Sequence, residues 1–135
     1  MTVSIVLAAS KGGQGRTTTA VTLGHLLAQR GQRVLLVDAD AQGNLAEYLG
    51  LDPAPGLYGL LVERAPLAKV VVASGRPGLD IIPSDYTTAE IASALWGKPG
   101  YDGRLKRALR SAGYDWIMID TAPSLSSLHI LAFTA

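Results

Sequence analysis

The sequence contains no cysteine, and that absence removes disulfides, thiolate zinc sites and cysteine-ligated iron–sulfur clusters together. Charge is also sparse. Twelve Lys and Arg face eleven Asp and Glu, a formal net charge of +1, so no basic field argues for nucleic-acid binding by itself. Long apolar runs are missing too: none approaches the roughly 18 residues that a bilayer-spanning helix needs. The opening stretch MTVSIVLAAS is apolar but has no basic leader, so it reads as a buried strand rather than a signal peptide. These absences predict a cytoplasmic protein.

What is present predicts a folded α/β chain. Hydrophobic residues make up 48% of the 135 positions and charged residues 17%, enough for one domain with a buried core over residues 1–135. Apolar runs at Val3–Ala8, Arg33–Val37, Leu79–Ile82 and Trp116–Ile119 read as buried parallel strands. Between them, Thr17–Arg30 carries Ala20, Leu23, Leu26 and Leu27 on one side and meets a stop at Gly31. Arg104–Ala112 aligns Leu105, Ala108, Leu109 and Ala112 before Gly113. Strands alternating with helices imply a mostly parallel sheet covered on both faces. The proline-punctuated stretch Asp52–Gly78 predicts a short helix at Leu57–Arg64 and a strand at Val70–Ala73. Four strands are few for a sheet of this class, and SLSSLHILAFTA reads as the start of a further helix. The expectation is therefore the N-terminal part of a larger domain, with apolar surface around Leu128–Phe133 left uncovered.

The chemistry gathers at SKGGQGRTTT, Ser10 to Thr19. A strand, a glycine loop and a helix bring unpaired backbone N–H groups and the positive helix end to one point. Gly12, Gly13 and Gly15 let the backbone approach a phosphate closely. Thr17 stands where such a loop's hydroxyl meets Mg²⁺, and Thr18 can reach another phosphate oxygen. Against the general pattern G-x-x-x-x-G-K-[ST], however, Ser10 replaces the first glycine and Arg16 the lysine. Asp38 and Asp40 lie at the carboxyl end of a predicted strand, where open α/β sheets place their ligand crevice.

Taken with the rest of the chain, KGGQGRTTT resembles the deviant phosphate loop K-G-G-x-G-K-[ST]-T of the ParA/MinD family of P-loop ATPases. RVLLVDADAQGNLAEYLGL resembles that family's second motif, with Ala41 in place of its usual proline, and YDWIMIDTAPSLSSL resembles its Walker B strand. GLDIIPSDYTTAEI matches the intermediate strand and turn. The motifs occur in the family's order and span nearly the whole chain.

That resemblance implies a P-loop NTPase fold and hydrolysis of ATP with Mg²⁺ in a nucleotide-sandwich dimer. It implies ATP/ADP contacts from Lys11, Gly12, Gly13, Gln14, Gly15, Arg16, Thr17 and Thr18. Lys11 would be the signature lysine that reaches the partner subunit's nucleotide. Asp40 would orient the attacking water, Asp38 would belong to the Mg²⁺ and phosphate network, and Asp120 would hold Mg²⁺ through water alongside Thr17. The ParA/Soj partition branch fits DADAQGN best. It implies a ParB-like centromere-binding partner and nonspecific DNA binding by the full-length ATP-bound dimer, hence a nucleoid location. Two alternatives stand beside it: a MinD-like ATPase that positions division at the membrane, and a non-hydrolysing nucleotide-dependent module silenced by Arg16. Other residues read as structural. His25 and His129 have no metal-ligand spacing, RLKRALR reads as the wet face of a helix, and Trp96 and Trp116 read as packing residues.

Overall fold

The structure is a computed structural model that describes residues 1–8 and 15–122. Lys11, Gly12, Gly13 and Gln14, and the helix expected near Ser124, lie outside the described residues. Five strands form one sheet: β1 (Val3–Leu7), β2 (Val34–Ala39), β3 (Val72–Arg76), β4 (Leu79–Ile82) and β5 (Trp116–Thr121). Their order is β1-β5-β2-β4-β3. All neighbours are parallel except β3, which runs antiparallel to β4. The helices are α1 (Arg16–Gln29), α2 (Asn44–Tyr48), α3 (Gly56–Leu61), α4 (Leu67–Val70), α5 (Ile91–Leu95) and α6 (Arg104–Leu109), with a 3-10 turn at Tyr86–Glu90 before α5.

The two-residue period of the central strand sorts the core into two layers. Leu35 and Val37 point to a cluster with Leu57, Leu61, Leu95 and Leu105 from α3, α5 and α6. Val34 and Leu36 point the other way, to Ala20 and Val21 of α1 and Leu45 of α2. Burying each Leu or Val of β2 contributes about 1.5–3 kcal/mol, which is why this strand is fully enclosed. Gly24 lets α1 approach: a Cβ there would come within 3.1 Å of both Leu36 and Leu79.

Three expectations are corrected. β1 is an edge strand with Val3 and Ser4 exposed rather than a buried one, because only β5 pairs with it among the described residues. The strand expected at Val70–Ala73 begins two residues later, since Pro66 starts the single turn of α4 that holds Val70. Trp96 is 74% exposed and belongs to neither core layer; its ring makes a T-shaped contact with Tyr101. Trp116 is half-buried, and its indole N–H donates to Gln32 Oε1 at 3.2 Å.

Candidate functional site

Parallel pairing aligns the strand ends and builds the site. Asp38 on β2 sits directly across from Asp120 on β5, and Asp120 in turn is level with Leu7 at the end of β1. Thr121 fastens this end, its hydroxyl donating to the Leu7 carbonyl at 2.8 Å. Gly15, in the left-handed conformation at φ 76°, opens α1, and no side chain caps that helix. The first turn carries no acidic residue, so its positive end is available to an anion.

Arg16 and Thr17 converge on Asp120. The Thr17 hydroxyl donates to Asp120 Oδ2 at 2.6 Å. Arg16 Nε lies 3.9 Å from Oδ1, and both side chains are largely buried, 13% and 4% exposed. Oδ1 itself accepts no hydrogen bond among the described residues. Burial pushes the Asp120 carboxyl above its ordinary range, and Asp40 adds to the rise, while the Thr17 hydroxyl and the Arg16 guanidinium oppose it.

Asp38 is fully buried. Its Oδ1 accepts the Asp40 N–H at 3.0 Å and its Oδ2 the Leu45 N–H at 3.3 Å, so it clasps both ends of the intervening loop. Burial raises its pKa to about 8, the nearby Asp120 and Asp40 charges add to the rise, and the two backbone donors only partly offset it. Asp40 is more exposed, and its Oδ1 caps the turn through the Gln42 N–H at 3.0 Å. The turn closes through Gly43 N–H donating to the Asp40 carbonyl. Gly43 has φ 67°, and a Cβ there would meet the Ser84 carbonyl at 3.0 Å, so only glycine fits. Ser84 donates its hydroxyl to the Asp40 carbonyl at 2.8 Å and also contacts the Thr88 hydroxyl.

A cavity of about 400 Å³ opens over this end, lined by Gly15, Arg16, Thr17 and Thr18 and, from α2, by Asn44, Glu47 and Tyr48. The three α2 residues were not singled out from sequence. Their signal was the stretch NLAEYL, too short for a helical period to declare its face. Among the described residues no three acidic or histidine side chains converge tightly enough to hold a metal by themselves. That suits Mg²⁺, which keeps several waters and takes one or two carboxylates together with phosphate oxygens. The buried, incompletely satisfied Asp120 Oδ1 beside the Thr17 hydroxyl fits such an ion.

Comparison with known proteins agrees with this geometry. A family model described as an AAA domain matches residues 2–135. The chain is 41% identical to the chromosome partitioning protein ParA of Caulobacter vibrioides, over 97% of this chain and 52% of that protein. It is 42% identical to the sporulation initiation inhibitor protein Soj of Bacillus subtilis, over 97% of this chain and 54% of that one. Among solved structures, cobyrinic acid a,c-diamide synthase from Mycobacterium smegmatis with bound ADP and magnesium superposes with a TM-score of 0.92 at 33% identity, over 98% of this chain and 56% of that one. The chain thus spans about half the length of the curated relatives it matches. With the start of α1, Asp38, Asp40 and Asp120 arranged at one sheet end, the chain belongs to the ParA/MinD family of P-loop ATPases, on its ParA/Soj partition branch.

Proposed function

We propose that this chain carries the nucleotide-binding part of a partition ATPase that binds ATP with Mg²⁺, forms a nucleotide-sandwich dimer and hydrolyses ATP slowly. The observation that carries the reading is the Arg16–Thr17–Asp120 cluster at the uncapped start of α1. In this reading the backbone of the glycine loop and the Thr18 hydroxyl hold the phosphates. Thr17 and Asp120 hold Mg²⁺, which when bound neutralises charge developing on the β and γ phosphates. Asp40 orients the attacking water from a turn that its own carboxylate and Gly43 fix. Asp38 serves the metal network indirectly, since both of its oxygens anchor the loop that presents Asp40. Lys11 reaches the partner's phosphates, and the ParB-like partner and nonspecific DNA act on the assembled full-length dimer at the nucleoid.

Arg16 sets the rate. Its guanidinium keeps the positive charge that attracts phosphate, but it is planar and larger than an ammonium and already leans on Asp120. A misplacement of about 1 Å costs on the order of 100-fold when positioning carries the catalysis. The test is ATP and ADP binding alongside phosphate release, in the longest available form of the protein and its Arg16→Lys variant. Tight binding with slow release, accelerated by lysine, is expected. Equal rates would show that the loop works with arginine and remove Arg16 as the brake. No nucleotide binding in either protein would end the ATPase reading.

A further inference from the structure

On the sheet face opposite α1, the start of α6 and the end of α3 enclose a second groove of about 410 Å³. Ala65, Leu67, Pro99 and Ala108 give it accessible apolar surface above the buried Leu60 and Leu61, and three arginines stand around them: Arg64 after α3, and Arg104 and Arg107 on α6. No carboxylate forms an ion pair with any of the three among the described residues. Instead Arg104 donates to the Leu61 carbonyl at 2.9 Å and Arg107 to the Gly100 carbonyl, bonds that orient the guanidinium groups without neutralising them. Arg64 is the only described non-glycine residue with positive φ, at 57°. That backbone state costs an L-residue roughly 1–2 kcal/mol, and nothing in the fold's packing asks for arginine there, since Arg64 is exposed. Desolvation lowers the Arg104 pKa from its ordinary value, and the Arg64 and Arg107 charges lower it further, so the cations repel one another.

We infer that this groove binds an acidic peptide segment of a partner protein, one that sets apolar side chains on the patch of Ala65, Leu67, Pro99 and Ala108 and carboxylates against Arg64, Arg104 and Arg107. Charge complementarity selects an anion, and guanidinium forks suit carboxylates held in a plane. The apolar patch selects the peptide over a nucleic-acid backbone, because a phosphodiester chain has nothing to place on Ala65, Leu67, Pro99 and Ala108. The groove is lined from α3 and α6, whereas the cavity over the strand ends is lined from α1 and α2, so the two share no lining residue.

The experiment is fluorescence anisotropy of an end-capped, labelled peptide of alternating glutamate and leucine, titrated with the whole protein at low and moderate salt. Saturable, salt-sensitive binding is expected, weakened about threefold to tenfold by Arg107→Ala and again by Arg64→Gly. Replacing the peptide's leucines with glycine should weaken binding about tenfold. Arg64→Gly separates recognition from folding: glycine accepts the left-handed backbone, so this variant should melt no lower than the parent while binding less. Binding unchanged in the double variant would overturn the proposal. So would a duplex DNA that loses affinity with the same two substitutions while the peptide fails to bind.

Discussion

The two cavities of this molecule are electrostatic opposites built on one sheet. At the carboxyl ends of β2 and β5, Asp38, Asp40 and Asp120 gather, and Arg16 lies beside Asp120. Between α3 and α6, three arginines gather with no paired carboxylate among the described residues. The acidic end solves its excess internally, by burial that raises carboxyl pKa values and by backbone N–H donors. The basic groove keeps its charge at the rim, because a guanidinium does not shed its proton at ordinary pH. The lesson is that a buried acid can wait neutral for its ligand, whereas arginines must stay charged and wait near solvent.

The largest test of this contrast is at the acidic end. Asp40→Ala should lower ATP turnover on the order of 100-fold or more while leaving nucleotide binding intact, since binding rests on the loop and α1. Phosphate release together with a binding titration reads both, and unchanged release would take Asp40 out of the chemistry. Next comes Arg16→Lys, expected to raise turnover by up to about 100-fold, measured as phosphate release at saturating ATP and Mg²⁺.

The pH dependence of folding sharpens the contrast further. Asp38 has a folded pKa of about 8 against 3.8 when free, so the fold prefers its protonated form. The unfolded chain then holds fewer protons than the native one between these values, and stability falls as pH rises through that window. Lowering pH from 9 to 6 should add about 2–3 kcal/mol in urea unfolding without nucleotide. Asp120 shifts in the same direction and adds to the trend. A flat profile would mean that Asp38 is ionised in the fold. The arginine groove should give the smallest effect: Arg64→Gly should stabilise by about 1 kcal/mol through backbone relief, read as a shift in the urea midpoint.

Sequence made the acidic end legible and left the basic groove invisible, for one reason. Gly15, Thr17, Asp38, Asp40 and Asp120 fall on strand ends and a loop whose local patterns announce themselves, and the parallel register then aligns them. Arg64 and Arg104 lie forty residues apart and meet only through the packing of α3 against α6. RLKRALR read as a solvated face, and this holds for Lys106 and Arg110, but Arg104 turns inward to Leu61. β3 is offset from the strand expected at Val70–Ala73 because Val72–Arg76 carries Ser74, Gly75 and Arg76 rather than an apolar run that would mark its bounds. α2 and α5 have five residues each, less than two turns, so no period could reveal them.

The hydroxyl of Ser84 carries a consequence of its own. A serine has one proton to give, and here it goes to the Asp40 carbonyl, so at the second contact Ser84 must receive and Thr88 must give. The chain Thr88 to Ser84 to Asp40 therefore has a direction, and it runs from the 3-10 turn ahead of α5 into the turn that aims the carboxylate of Asp40. The backbone of the turn that carries Asp40 is thereby tied to an element more than forty residues along the chain.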